Sequence, residues 1–313
     1  MENDIRHVYD VIIIGGGPGG YTAALYSARA GVDTLLIERL SPGGQMCLTS
    51  HIDNYPGFDD ETDGFTLGNK MKKGAEKFGA KTLIAEVVSV DLSEDIKVVK
   101  TIDKTLFSKC AIIATGAKPK RLGVENEDEL IGKGVSYCAT CDGMFYKNKI
   151  VVVVGGGDSA VTEAIYLSKI CKKVFLIHRR GILRATKVYQ NTLMNLENAE
   201  IYFNTVVENF VFDNKLKGIN VRDVNTGNIW QISCNGLFIS IGRSPESDLF
   251  KGQLHLDEKG YIIADESTKT NIPGVFAVGD VRTKVLRQIV TAASDGAVAS
   301  HFAEEYIQSA SMY

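Results

Sequence analysis

No stretch of the 313 residues approaches the roughly 20 consecutive apolar side chains that a bilayer-spanning helix requires. The N-terminal MENDIRHVYD is polar, and the short run Val11-Ile12-Ile13-Ile14 leads into glycines rather than a cleavage site, which argues against a secretory leader. A soluble, cytoplasmic protein that does not engage a membrane is therefore expected. An excess of one charge is also missing: 35 Lys and Arg stand against 38 Asp and Glu, and no polybasic arm is present. Nothing in that balance favours nucleic acid as a partner. Six cysteines, at 47, 110, 138, 141, 171 and 234, are too few and too scattered for a disulfide scaffold. Four are isolated and read as small buried hydrophobes; Cys138 and Cys141 alone form a motif. Disorder, collagen and coiled coil are excluded by an ordinary composition, 44% apolar and 23% charged.

The length exceeds the usual size of one hydrophobic core and implies two domains. VYDVIIIGGGPGGYTAALYSARAGVDTLLIE reads as strand, glycine turn, helix and second strand ending in an acid. Gly15, Gly17 and Gly20 match G-x-G-x-x-G: a tight turn, a close approach to a pyrophosphate and a close helix–strand contact. The unpaired amides and the dipole of the helix N-terminus favour the phosphates, and Glu38 is placed to accept from a ribose 2′-hydroxyl. The pattern recurs in KNKIVVVVGGGDSAVTEAIYLSKICKKVFLIHRR, with Gly155, Gly157 and Ala160 as fingerprint and Asp158 and Ser159 opening the helix. His178 follows Gly155 at the distance at which Glu38 follows Gly15. Where the first unit has its acid, the second carries His178, Arg179 and Arg180, with Arg184 further on. Guanidinium groups bind a 2′-phosphate that a carboxylate would repel. The first unit thus suits FAD and the second NADPH.

After the second unit the chain returns to the first domain, because GVFAVGD followed by an amphipathic final helix reads as a further strand end and its closing helix. CAIIATGAKPKR and GLFISIGRSPES mark the two crossings. The expected class is α/β, with two Rossmann-like dinucleotide-binding domains, the second inserted into the first. The FAD-binding domain takes residues 1–117 and 249–313, and the NADPH-binding domain with the cysteine pair takes 118–248.

GGGPGG (15–20), GGQM (43–46), NYPG (54–57), ATGA (114–117), CATCDG (138–143), GGGDSA (155–160), HRRGILRA (178–185), GVFAVGD (274–280) and LRQIVTAASDG (286–296) together span nearly the whole chain. In order and spacing the sequence resembles the bacterial-type, low-molecular-weight thioredoxin reductases of the pyridine nucleotide-disulfide oxidoreductase superfamily. The position of CATCDG, just ahead of the second fingerprint, separates this branch from the glutathione-reductase branch.

Two thiols at a Cys-x-x-Cys spacing suggest a metal clip, a structural disulfide or a redox pair. A zinc site needs about four ligands and no second pair completes one, so no metal is expected. A disulfide across so short a loop constrains the unfolded chain little, and cytosolic reductants oppose it. Thiol–disulfide exchange needs a resolving thiol close to the attacking one, which this spacing supplies. The resemblance implies that NADPH reduces FAD, that FAD reduces a Cys138–Cys141 disulfide, and that Cys138 then attacks thioredoxin while Asp142 protonates a departing thiolate. It implies a homodimer and a rotation of the NADPH domain about Thr115-Gly116 and Gly242-Arg243. It also carries Gly15, Gly17, Gly20, Glu38, Gln45, Asn54, Asp280, Arg287, Gln288 and Ile289 as FAD positions. The alternatives are a flavoprotein serving an alkyl hydroperoxide reductase system or a glutaredoxin-like acceptor, a ferredoxin-dependent enzyme, and a non-catalytic redox sensor.

Overall fold

The computed structural model describes residues 7–49, 52, 54–57 and 62–310. The chain divides into two compact units, residues 1–118 with 244–313, and residues 119–243. In chain order the first part of unit 1 comprises β1 (Val8–Ile14), α1 (Pro18–Arg29), β2 (Thr34–Glu38), α2 (Gly64–Glu76), β3 (Lys81–Ile84), β4 (Val87–Asp91), β5 (Lys97–Thr101) and β6 (Thr105–Ile113). β7 (Ala117–Pro119) makes the first crossing. Unit 2 comprises β8 (Val135–Ser136), α3 (Ala139–Asp142), β9 (Ile150–Val154), α4 (Asp158–Ser168), β10 (Lys173–Ile177), α5 (Lys187–Met194), β11 (Ala199–Tyr202), β12 (Thr205–Phe212), β13 (Leu216–Asp223), β14 (Ile229–Ser233) and β15 (Gly236–Ile239). The second crossing is β16 (Arg243–Pro245), and unit 1 closes with β17 (Val275–Ala277) and α6 (Ile289–Ala310).

The sheet of unit 1 runs β3-β2-β1-β6-β5-β4. β6 is long enough to serve two partners on one edge: its start pairs antiparallel with β5, and Ala111 to Ile113 pair parallel with β17. β1, β2, β3, β6 and β17 are parallel neighbours. Such strands are covered on both faces, which is why Val11 to Ile14 is a continuous apolar run instead of an alternating one. Successive side chains still point to opposite faces. Val11, Ile13, Leu36 and Ile112 pack with Tyr21, Ala24, Ala299 and Ala303 on one side. Ile12, Ile14, Leu35 and Ile113 pack with Leu92, Val99, Phe250 and Ile262 on the other. Each such fully buried aliphatic side chain contributes on the order of 2 kcal/mol. Two glycines bring α1 and α6 together, since a Cβ on Gly296 would lie 2.2 Å from the Gly19 carbonyl oxygen.

Unit 2 repeats this plan with a smaller parallel sheet, β11-β10-β9-β15-β8. Val151, Val153, Leu176 and Phe238 face α4 through Ala160, Val161, Ala164 and Leu167. The opposite face, Val152, Val154, Ile177, Leu237 and Ile239, is covered by Phe210, Ile219, Val221 and Ile232 of the antiparallel sheet β12-β13-β14.

At the crossings β7 and β16 pair. Within unit 1 the Glu246 amide donates to Gly116 O at 2.9 Å, and within unit 2 the Lys120 amide donates to Gly242 O at 3.0 Å. Gly116 (φ +76°) and Gly242 (φ +107°) both occupy the left-handed region that L side chains avoid. No helix among the described residues is long and apolar enough to cross a membrane.

Candidate functional site

In unit 1 the ends of β1, β2, β6 and β17 converge on the turn into α1. Gly15 (φ +110°) passes so close to the next strand that a Cβ would sit 2.4 Å from Ala114 O, and a Cβ on Gly20 would sit 1.9 Å from Gly15 O. Gly17 differs, because a Cβ there meets nothing within 4 Å. The first and third glycines are thus required by the protein's own packing, while the second faces open space at a helix start. That start has Pro18 in its first turn, no side-chain cap and no acid. Its amides are left to an external acceptor, the arrangement that suits a pyrophosphate. Glu38 Oε2 accepts from the Gly16 amide at 2.6 Å and Oε1 from the Leu40 amide at 3.1 Å, which fixes the carboxylate beside the turn.

The other unit 1 positions fall on the same sheet end. Gln45 is exposed on the 3₁₀ turn Gly44–Leu48, and the Gly43 amide ties that turn to Gly16 O at 2.8 Å. Asn54 Nδ2 donates to Gln288 Oε1 at 3.0 Å, joining two segments far apart in the chain. Asp280 lies on the turn after β17, and Ile289 opens α6. The Arg287 guanidinium lies over the Tyr261 ring at 4.1 Å and donates to the carbonyls of Asp280 and Arg282, so the protein itself sets its position.

Beneath this surface is a charged cluster absent from the sequence reading. Asp295 Oδ2 accepts from the Gly279 amide (2.8 Å), Arg282 Nε (2.9 Å) and Lys284 Nζ (2.8 Å), and Oδ1 accepts from an Arg282 terminal nitrogen (2.7 Å). Arg282 is 2% exposed and Asp295 5%. Burial pushes the Asp295 carboxyl up, but Arg282 and Lys284 outweigh it and hold the group below the usual carboxylate range. The Arg-x-Lys and a helical Asp thirteen residues on give no local signal. A single charged residue on the inner face of an otherwise small-residue helix was the available hint.

Unit 2 builds the second turn with the same logic. A Cβ on Gly155 would lie 2.3 Å from Ser240 O, whereas one on Gly157 meets nothing within 4 Å. Ala160 is fully buried, and Ser159 is exposed on the first helical turn. Asp158 Oδ1 accepts from the Thr186 amide at 2.6 Å, and the Arg184 amide donates to Gly156 O at 2.7 Å. Together they pin the arginine-bearing loop against the fingerprint. Arg179, Arg180 and Arg184 are exposed on it, and Gly181, Leu183, Ala185 and Lys187 of the same loop, with Met194 and Phe203, line a neighbouring cavity of about 510 Å³.

The structure separates His178 from these arginines. Its ring is buried against Gly156, where a Cβ would come within 2.2 Å of it, and Nε2 has no hydrogen-bond partner. Burial, aided by the positive charge of Arg184, Arg180 and Arg179, lowers its pKa and favours neutral imidazole. His178 thus packs inside the turn, while the three arginines stay on its solvent side.

Cys138 and Cys141 form a disulfide with Cα atoms 5.3 Å apart. Cys138 is the N-cap of α3 and Cys141 lies within it. Asp142 ends α3, and its Oδ2 accepts from Ser136 Oγ at 2.6 Å. Tyr146, on the next turn, has its hydroxyl pushed up to about 12 by burial and by the Asp142 charge. Among the described residues no cluster of three or more His, Cys, Asp or Glu could hold a metal ion.

The pyridine nucleotide-disulphide oxidoreductase profile matches residues 9–296. A thioredoxin reductase of Peptoclostridium litorale is 45% identical over 98% of this chain and 98% of its own length. The chain belongs to the thioredoxin reductase family. A thioredoxin reductase of Listeria innocua is 47% identical over 96% of this chain and 94% of its own length. The crystal structure of thioredoxin reductase from Streptococcus pyogenes, 42% identical, superimposes with a TM-score of 0.91 over 96% of this chain and 99% of that one. Membership of this family makes the chain an oxidoreductase of two Rossmann-like domains, and it implies a flavin and a pyridine nucleotide as the cofactor classes.

Proposed function

We propose that the chain is an NADPH-dependent thioredoxin-disulfide reductase that holds FAD in unit 1 and NADPH in unit 2. The observation that carries this reading is the Cys138–Cys141 disulfide, placed in the unit whose second glycine turn is flanked by Arg179, Arg180 and Arg184. FAD suits unit 1 because Gly15, Gly17 and Gly20 open the helix start and Glu38 stands beside it, with Gln45, Asn54, Asp280, Arg287, Gln288 and Ile289 on the same sheet end. NADPH suits unit 2 because Gly155, Gly157, Asp158, Ser159 and Ala160 form the turn, His178 supports it and the three arginines meet a 2′-phosphate.

When bound, the nicotinamide and flavin supply two-electron hydride chemistry. The chain's own residues perform the exchange that follows. With the pair reduced, the Cys138 thiolate attacks one sulfur of the thioredoxin disulfide, forming a mixed disulfide and releasing a thiolate. Asp142 gives that thiolate a proton. Cys141 then attacks Cys138, and its own proton passes to the second departing sulfur; the enzyme pair ends oxidised and the acceptor as a dithiol. The reading places the enzyme in the cytoplasm as a homodimer.

Stopped-flow mixing of the purified flavoprotein with NADPH, then with oxidised thioredoxin, tests it beside Cys138→Ser. Flavin bleaching by NADPH followed by thioredoxin-dependent reoxidation in the wild type alone is expected. Bleaching with no response to thioredoxin would reassign the acceptor, and absence of bleaching would reassign the donor.

A further inference from the structure

Ser136 contributes a hydroxyl to the redox turn that no part of the exchange scheme uses. It ends β8, which β15 fixes through the Ser136–Phe238 register, and it is 4% exposed. Its Oγ donates to Asp142 Oδ2 at 2.6 Å and accepts from the Cys138 amide at 3.1 Å. A second acceptor, Cys138 O, stands 3.4 Å away. A hydroxyl has one proton, and the shorter contact to a carboxylate takes it. The hydroxyl therefore spans the disulfide, tied to the backbone of one cysteine and to the carboxylate that directly follows the other.

We infer that Ser136 is the positioning residue for Asp142, holding Oδ2 as an acceptor so that the proton Asp142 delivers to a departing thiolate resides on Oδ1. The inference rests on the proposed role of Asp142. The step is the one balanced above: one proton leaves Asp142 for the first acceptor thiolate, one leaves Cys141 for the second, and two electrons pass from dithiol to acceptor disulfide. Among the described residues, Tyr146, from the turn that follows, and Glu163, on α4 beside the Ala139 amide, are titratable groups that face the redox helix. Neither is hydrogen-bonded to Ser136 Oγ. A buried serine without this task could be alanine at little cost, whereas here its removal takes from the carboxylate a 2.6 Å hydrogen bond that fixes Oδ2.

The test is single-turnover oxidation of the NADPH-reduced holoenzyme by oxidised thioredoxin between pH 6 and 9.5. It uses wild type, Ser136→Ala, Ser136→Thr, Asp142→Asn and the Ser136→Ala/Asp142→Asn double variant, with melting temperatures recorded for each. Ser136→Ala is expected to slow the reaction about 10-fold, the scale of a hydrogen bond to a charged group. Its alkaline limb should move to higher pH, because a donor that favours the ionised carboxylate is gone. Ser136→Thr, which keeps the hydroxyl, should restore both. In the Asp142→Asn background the serine change should cost nothing further. A slowed Ser136→Ala with an unmoved limb, or an equal loss with Asn at 142, would overturn the inference. A slow Asp142→Asn beside a full-rate Ser136→Ala would overturn it alone, while full rate in Asp142→Asn would overturn the role of Asp142 itself.

Discussion

Glu163 offers a measurement of how much unit 2 yields to keep a carboxyl beside its redox helix. The side chain is on α4, and its Oε2 is buried without a hydrogen-bond partner. Burial is the dominant influence; the Ser240 hydroxyl, the Arg243 charge and the Ala139 amide oppose it, and the net effect raises the group from 4.5 to about 7. Below pH 4.5 the carboxyl is protonated in folded and unfolded chains alike, and the group has no effect. Between 4.5 and 7 the unfolded chain releases a proton that the folded chain keeps, so stability falls as pH rises and levels off above 7. At about 1.4 kcal/mol per pH unit the full loss is roughly 3 kcal/mol. Glu163→Gln keeps the shape but cannot ionise. Urea unfolding at a series of pH values from 4.5 to 8.5 would report on this unit directly, because Trp230 is the one tryptophan and lies on β14. The variant should gain on the wild type by roughly 3 kcal/mol between the two ends of the series. Any constant offset from the new amide cancels in that difference. Parallel curves for the two proteins would refute the reasoning.

Asp295→Asn removes the buried counter-charge of Arg282 and Lys284, leaving Arg282 the exposed Glu266 at 3.7 Å, and the cost should be about 3–5 kcal/mol, read by chemical denaturation together with loss of flavin on gel filtration. Because the Asp295 carboxyl is held low, its contribution is present above the ordinary carboxylate range and lost as pH falls through the folded value, so the variant should lack that part of the acid sensitivity. Replacing Arg179, Arg180 and Arg184 together by Ala should raise KM for NADPH about 10- to 100-fold, the loss expected for charge-assisted bonds to a phosphate. KM for NADH should be nearly unchanged, and an equal rise for both nucleotides would remove the 2′-phosphate assignment.

Both glycine turns and the flanking strands were legible in the sequence because local chemistry dictates them. Gly15 and Gly20 have no room for a side chain, and Val11 to Ile14 or Ile150 to Val154 are apolar on both faces since both faces are covered. The cysteine pair stood out by its spacing, which suited a redox pair, while its disulfide was what the family resemblance implied. What escaped depends on segments distant in the chain. His178 reads as one of three basic residues, yet the space left by Gly156 draws its ring inward while its neighbours stay in solvent. The Arg282–Lys284–Asp295 cluster depends on α6 folding back under the end of β17, and Ser136 meets Asp142 because the disulfide turn doubles the chain. No pattern of period two or 3.6 encodes such encounters.

The connection of the two units also sets an order of events during synthesis. Unit 2 is one continuous stretch, and every strand of its sheets has been made once residue 239 is complete. Unit 1 is interrupted: Ala111 to Ile113 of β6 await Val275 to Ala277, and α1 awaits α6, the last helix described. A chain emerging from the ribosome at about 5–20 residues per second thus holds the apolar edge of β6 open for roughly 8 to 33 seconds before β17 arrives. The insert thus has every strand of its sheets before unit 1 has its last one.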